Sequence, residues 1–565
     1  MGKLSELGKL TKVDVLVIGG GIAGLFAAIK AKEKDPTINV TVVDKSCPGA
    51  SGCSVFAAGV FAYCQEGDDF EIYEREIIED NAEYLINQEY VSLVMKQSFD
   101  RFQDLLKWGV GFFKNHDGRV IRIQAMATKY GFSSPFDGGP NFMWKLRGQA
   151  LSEGVTLIDR KMVVDLVVES GNCLGAVGFD VRTGEFEIFQ SPATILASGS
   201  FNSNRAPMGT SGGTGDGQAI AFRAGIELRN MEQVGQTTIG PRNFSVPGLH
   251  VIFGTGGKLV NAKGERFMEK YNPILKERAR RFETARAILR EWAEGRGPCY
   301  LDCSHLPAES VQTIKTSLPL VIRSLAGKGL DIARHKIEYI PYPMQTLHVG
   351  GARIDNAAGR VPVNGLWVVG AASDFCGGAQ DTVVTALSGC SVQGALAGEE
   401  AASFVPTKKP QMDVGQIEAL KELTFKPLSV KGETKIDDAF YKILAAVAEN
   451  INVLKNEEKL KIAIGQLEEA AHMVEKLGAK NPHELRKVHD VRNMAILAQV
   501  CAQSSLLRTE SRVAHFRIDY PKRNDREWLK WITAKLVDGQ IKLKTEDIPI
   551  WKWKYQPKDP EEVLS

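Results

Sequence analysis

The stretch VDVLVIGGGIAGLFAAIKAKEKDPTINVTVVDKS, residues 13–46, sets the fold. Residues 13–18 are an apolar run of β type. Gly19, Gly21 and Gly24 fit G-x-G-x-x-G with Ala23 inside it, residues 25–30 continue as helix, and 39–43 form a second β run ending at Asp44 and Lys45. Strand, glycine turn, helix, strand and acid at these offsets make a complete βαβ unit. The glycines permit close approach of a pyrophosphate to the helix N-terminus, where free N–H groups and the helix dipole favour negative charge. Asp44 is placed to accept from a ribose hydroxyl, so the ligand read from this stretch is a dinucleotide.

Beyond this unit, composition sets bounds. A chain of 565 residues is too long for one core and predicts two to four domains. Hydrophobic content of 44% and charged content of 24% are those of an ordinary soluble protein, and a net charge of +2 implies no nucleic-acid partner. No run approaches the roughly 18 apolar residues of a membrane span, and residues 1–12 lack a signal-peptide core, which predicts a cytoplasmic protein. Nine cysteines form no CxxC pair; Cys299 and Cys303 lack further ligands, so no metal site and no iron–sulfur cluster is expected within this chain.

After Lys45, residues 46–60 are small and turn-rich, with Ser51, Gly52, Cys53, Ser54, Ala58 and Gly59 able to bring backbone close to a planar ligand. Residues 70–108 carry apolar residues at helical spacing and predict two helices. Residues 162–168, 173–180 and 185–190 alternate as an antiparallel meander containing Val164, turned at Arg182-Thr183-Gly184, and 193–199 return as a buried strand ending in Ala197, Ser198 and Gly199. A meander returning beside the first βαβ unit is the glutathione-reductase style of domain, which makes the dinucleotide FAD rather than NAD. Thr214-Gly215-Asp216-Gly217 is a turn entering a helix. Residues 236–342 change composition and read as an inserted domain with a basic run at 276–290. The FAD-binding domain therefore spans 1–235 and 343–405, the second part carrying a glycine-rich turn and a helix over 384–401. Residues 406–565 form a C-terminal helical domain, periodic over 436–508, and a tail.

Residues 212–217, 261–268 and 365–370, with the segment Arg508-Thr509-Glu510-Ser511-Arg512 followed by His515, Arg517, Asp519, Tyr520, Pro521 and Trp528, resemble the succinate dehydrogenase/fumarate reductase flavoprotein family. That family includes L-aspartate oxidase and the adenylylsulfate reductase alpha subunit. The resemblance runs through nearly the whole chain. It implies an α/β FAD-binding domain, a mobile inserted α+β capping domain over 236–342, a C-terminal helical domain, and hydride exchange with flavin N5 coupled to a proton shuttle. It places Gly19, Gly21, Gly24 and Asp44 at the phosphates and ribose, and Asp216 at the cofactor. Thr385, Ala386 and Leu387 offer a helix N-terminus to the flavin pyrimidine, where reduction develops negative charge.

Four departures from the family pattern shape the functional expectation. Cys53 is laid where covalent-flavin members carry histidine, so FAD is expected to be non-covalent; a packed thiol and a cysteinyl flavin are the two readings of that position. The proton-shuttling arginine falls at Arg281, but the aspartate after it is Phe282, and Arg281 is either a catalytic acid or a solvated charge. The substrate histidine falls at Thr346; His348, two residues on and on the same side of an extended strand, is a substitute or a packing residue. The arginine that clamps dicarboxylates falls at Asp381, whose carboxylate would repel succinate or fumarate. The family glutamate after Gly370 is Ala371, with Asp374 as a replacement.

The expectation is thus an FAD-dependent oxidoreductase subunit in which Arg281, His348 and Asp381 act on a small non-dicarboxylate substrate, with electrons passing to or from an iron–sulfur protein subunit. An adenylylsulfate-reductase-like subunit and a flavin electron-transfer hub without a small substrate are the alternatives. Lys522, Arg523, Arg526, Lys530 and Lys535 are either a docking face or solvated charge. Trp528, Trp531, Trp551 and Trp553 are either tail packing or an interface.

Overall fold

The structure is a computed structural model and describes residues 2–57, 59–124, 129–204, 212–242, 244, 251–348, 350–374, 386–406, 411–432 and 434–558. Ala58, Asp381 and Thr385 lie outside the described residues, as does the side chain of His348.

Strand Val15–Ile18 sits in the middle of a five-stranded parallel sheet ordered Leu366–Val368, Ala193–Leu196, Val15–Ile18, Val40–Val43, Thr156–Ile158. Every residue of the three inner strands is buried, which is why they read as nearly continuous apolar runs, broken only by Thr41 and Thr194, and not as alternation. Helix Ile22–Lys34 follows the glycine turn and crosses helix Ala386–Phe404 backbone to backbone. A Cβ on Gly394 would stand 2.3 Å from the Ala23 carbonyl oxygen, and one on Gly398 2.1 Å from that of Ala27. Glycines at 394 and 398 thereby let the second helix lie directly on the backbone of the first.

The meander forms as Lys161–Glu169, Asn172–Asp180 and Phe186–Gln190, all antiparallel, and strand Lys9–Lys12 adds to it in parallel. The Asp180 carboxylate accepts the Arg182 and Thr183 N–H groups at the turn. The expected helices over 70–108 are Phe70–Arg75, which runs on into a π-helical turn at Glu76–Asn81, and Gln88–Lys107.

The cap has its own apolar core, with Ile239, Ile252, Leu259, Met268, Ile288, Ile337 and Tyr339 among its buried members. Its spine is the long strand Ile337–His348, paired antiparallel with Asn202–Asn204, Val234–Pro241 and Cys299–Asp302. In the C-terminal part, Ile436–Ala446, Glu457–Glu475 and Pro482–Leu507 supply the expected helices. The tail is more than a tail. Lys530–Val537 and Gln540–Asp547 form a hairpin whose first strand pairs with Leu228–Arg229 of the FAD-binding domain, so the end of the chain is stitched into the body. The signal that finds it is Asp538-Gly539, both at positive φ, between two alternating runs. No helix of the described residues is long and apolar enough to cross a membrane.

Candidate dinucleotide site and cap junction

The turn after Val15–Ile18 is built to exclude side chains. Gly19 has φ +109° and its missing Cβ would lie 2.5 Å from the Ala197 carbonyl oxygen; a Cβ on Gly24 would lie 2.0 Å from the Gly19 oxygen. Around this turn Gly52, Gly59 and Gly199 also have positive φ, yet a Cβ on any of them meets nothing within 4 Å. Glycines that face open space in two separate stretches, 46–60 and the end of 193–199, make a cradle whose floor is backbone, and a flat, phosphate-bridged ligand such as FAD fits it. Cys53 is exposed within this loop set, with the Asn202 amide donating to its Sγ at 3.5 Å. The Ser54 hydroxyl accepts the Ile22 N–H at 3.2 Å, tying the loop to the helix N-terminus.

Asp44 is where the sequence places it, and its carboxylate already accepts from the Gly20 N–H at 2.8 Å and the Ser46 N–H at 2.7 Å. Oδ1 also accepts the Ser51 hydroxyl at 3.4 Å, and Oδ2 keeps a further lone pair for a ribose hydroxyl. Lys45 and Asp216 are brought together instead of being left open. The ammonium donates to Thr214 Oγ1 at 2.6 Å and pairs with Asp216 at 2.8 Å and Asp490 at 2.9 Å. Burial pushes the Asp216 carboxyl up, but the Lys45 charge and hydrogen bonds from Lys45, Asn493 and Thr214 outweigh it and hold it below the usual carboxylate range. Burial likewise opposes the Lys45 ammonium, and the charges of Asp216 and Asp490 more than restore it. Asp490 and Asn493 escape a reading of the sequence, because nothing local links a helix of the C-terminal domain to a turn 445 residues away.

The remaining positions divide into lining and support. Ser198 accepts the Gly217 N–H at 2.8 Å, fixing the turn at Gly215 to the end of a sheet strand. Val164 is buried and its carbonyl accepts from Arg223 at 2.7 Å. A Cβ on Gly370 would stand 2.9 Å from the Ala23 Cβ, so these two small residues require each other. Ala386 and Leu387 begin the helix Ala386–Phe404, partly buried. Asp374 is buried and paired with Arg229 at 2.8 Å, while its Oδ1 has no hydrogen-bond partner; burial raises its carboxyl and Arg229 opposes the rise. Arg229 lies over the Trp531 ring at 4.2 Å, linking this acid to the tail.

At the cap junction, Arg281 opens helix Arg281–Ala293 and is partly buried, with its carbonyl accepting from Thr284 at 2.8 Å. Arg280 before it latches the cap onto the body, donating to the Asp80 carbonyl at 2.6 Å and to Glu83 at 2.9 Å. Phe282 is 1% exposed and packs with Leu85, Val513, Ala514, Trp531 and Trp553, flanked by the guanidinium groups of Arg280 at 4.7 Å and Arg286 at 4.6 Å. His348 is a strand residue whose backbone pairs with Val234. Trp531 and Trp553 are buried, with ring centroids 6.1 Å apart, while Trp551 is 66% exposed. In the basic C-terminal stretch Arg523 pairs with Asp525 at 2.9 Å, and Lys530 stands 3.8 Å from Asp547.

A glycine-floored dinucleotide cradle, a meander returning to the parallel sheet, and a capping domain with an arginine-led helix at its edge define an FAD-dependent oxidoreductase. Comparison with known proteins narrows this. The family described as FAD binding domain matches residues 14–392, and that described as fumarate reductase flavoprotein C-term matches residues 442–561. The chain is 30% identical over 554 residues to a fumarate reductase (CoM/CoB) subunit of Methanothermobacter marburgensis, covering 93% of this chain and 97% of the relative. It is 29% identical over 536 residues to an uncharacterized FAD-dependent oxidoreductase of Methanocaldococcus jannaschii, covering 92% and 95%. The FrdA chain of E. coli quinol fumarate reductase superposes with a TM-score of 0.87 at 24% identity, covering 97% of this chain and 98% of that one. The chain belongs to the succinate dehydrogenase/fumarate reductase flavoprotein family.

Proposed function

We propose that this protein is the flavoprotein subunit of an oxidoreductase that acts on a small organic acid carrying one anionic group, with electrons passing to or from a separate iron–sulfur protein, and that its FAD is held without a covalent bond. Bound FAD supplies hydride transfer. The chain supplies the rest: Gly19, Gly21 and Gly24 admit the pyrophosphate, Asp44 takes the ribose, Arg281 holds and delivers a proton at the cap edge, and His348 orients the substrate. What supports a departure from dicarboxylate chemistry is Phe282. Where the family carries an aspartate after the shuttling arginine, the residue after Arg281 is a buried ring between two guanidinium groups, which changes the charge beside the proton donor. Asp381, in a position where the family carries the clamping arginine, agrees with this: a carboxylate there disfavours a second carboxylate on the substrate.

The test is anaerobic stopped-flow reoxidation of the reduced holoprotein by fumarate, by monocarboxylic enoates, by enoyl thioesters and by adenylylsulfate. Reoxidation by a monocarboxylate faster than by fumarate is the expected result. Fast reoxidation by fumarate would overturn the reading of Asp381 and Phe282, and reaction only with adenylylsulfate would move the protein toward that branch. Acid precipitation that releases all FAD to the supernatant is expected, and retention of flavin on the pellet would assign a covalent link.

A further inference from the structure

Between the cap, the C-terminal helices and the segment entering the cap lies a group of buried ionisable residues with no part in the proposed chemistry. Lys455 is 0% exposed. Its backbone is fixed by the Phe516 carbonyl and the Ile518 N–H. Its ammonium donates to the Val234 carbonyl at 2.7 Å, and among the described residues no carboxylate forms an ion pair with it. Val234 is the residue that pairs with His348 between strands Val234–Pro241 and Ile337–His348, so the ammonium is bonded to the register partner of the candidate substrate histidine.

The charges facing Lys455 are mostly positive. Arg286, on the cap helix five residues after Arg281, donates to the Val513 carbonyl at 2.9 Å and leaves its Nε without a partner. Arg517 is spent on Asp519 at 2.6 Å. Glu232, also 0% exposed, is the facing carboxylate; one of its oxygens is taken by Arg508 at 2.9 Å and the other has no hydrogen-bond partner. His515 is kept neutral by burial and by the charges of Lys455 and Arg508, and burial keeps the Cys501 thiol protonated. Burial, then the Arg286 charge, lowers the Lys455 ammonium to about 7, with Glu232 opposing. Burial lowers Arg286 itself to about 10. The junction therefore holds desolvated positive charge in excess of its carboxylates, next to the edge of the cap where Arg281 starts its helix.

We propose that Lys455 is a positioning residue whose charge sets the affinity of the cap junction for the anionic group of the substrate. The ammonium adds a positive charge at the Val234 carbonyl, and loss of its proton removes that charge from a poorly solvated region where a single charge acts strongly over several ångströms. This rests on the proposed organic-acid substrate. The experiment is titration of the flavin absorbance of the holoprotein with crotonate and with fumarate between about pH 6 and about pH 9, for wild type, Lys455→Arg and Lys455→Met. Wild-type affinity for whichever carboxylate binds is expected to fall about tenfold as pH rises through the Lys455 transition, Lys455→Arg to stay tight and flat, and Lys455→Met to be weak and flat.

A merely structural lysine would lower thermal stability or FAD content in the variants while leaving the wild-type pH slope in place, and that outcome overturns the proposal. Binding of a carboxylate with the same slope in all three proteins overturns it while sparing the proposed substrate class; absence of any carboxylate binding overturns both. Melting supplies a check that needs no ligand. A lysine whose folded value lies below its unfolded one burdens the fold at low pH, and the burden is relieved as pH rises from about 7 toward about 10. Wild type should therefore gain on Lys455→Met over that range, and a constant difference would show that Lys455 does not titrate there.

Discussion

Gly24 has no room for a methyl group, since its Cβ would overlap the Gly19 carbonyl oxygen at 2.0 Å, backbone against backbone within one turn. Gly24→Ala should cost about 1–3 kcal/mol, the range for overpacking, and lower the FAD-to-protein ratio of the purified protein. Lys45 presents a different dependence. Lys45→Met leaves the Asp216 carboxylate buried without its cation beside Asp490, which keeps Arg486 at 2.7 Å, a loss of about 3–5 kcal/mol at neutral pH in urea unfolding. In wild type the Asp216 carboxyl lies below its ordinary value, so its contribution is present above the unfolded carboxylate range and is lost as pH falls through the folded value. In the variant the carboxyl is raised, and the gap to wild type should narrow as pH falls from about 7 toward about 4.

Among the elements, the π-helical turn Glu76–Asn81 carries a buried acid. Glu76 is 3% exposed; one oxygen accepts the Lys129 N–H and the other has no partner. Burial raises its carboxyl to about 7, against an ordinary value of 4.5. A carboxyl raised in the fold stabilises fully below its unfolded value, and that stabilisation is lost as pH rises through about 7. Glu76→Gln keeps an acceptor for Lys129 without the charge. It should match wild type near pH 5 and exceed it near pH 8 by as much as about 3 kcal/mol, read from denaturant midpoints. The same turn leads to Glu83 and Tyr84, both at positive φ, which place the Asp80 carbonyl and the Glu83 carboxylate against Arg280.

Across the molecule, Phe282 joins the cap to the rest. Its ring packs with Leu85 of the FAD-binding domain and with Val513, Trp531 and Trp553 of the C-terminal part. Phe282→Ala removes an apolar bridge shared by three regions and should destabilise by about 3–5 kcal/mol. Hydrogen exchange should rise over helix Arg281–Ala293 before it rises in the parallel sheet, because the cap core at Ile252, Leu259 and Ile288 is separate from the main one. Simultaneous loss of protection in cap and sheet would show that the cap does not open by itself.

Relations between neighbouring residues are legible in the chain before it folds. The strand–turn–helix–strand of residues 13–46 is a pattern of adjacent residues, and so are the β runs and the Arg182-Thr183-Gly184 turn of 162–190, so both can be read and with them the FAD fold, although folding buries the meander strands on both faces. The position of Asp44 follows for the same reason. What those residues touch is settled by folding alone. Lys45 and Asp216 read as cofactor ligands, and it takes the folded chain to bring Asp490 and Asn493 from a distant helix and pair the two with each other. Phe282 reads as a missing aspartate, and packing turns it into the contact between cap and tail. Lys455 carries no signal, lying between two helices of a polar stretch; it becomes distinctive only once burial strips its water and leaves it facing Arg286 and Val234. Backbone preference and side-chain periodicity are written in neighbouring residues, whereas desolvation and charge pairing depend on which distant residues arrive, and that is fixed only when the chain has folded.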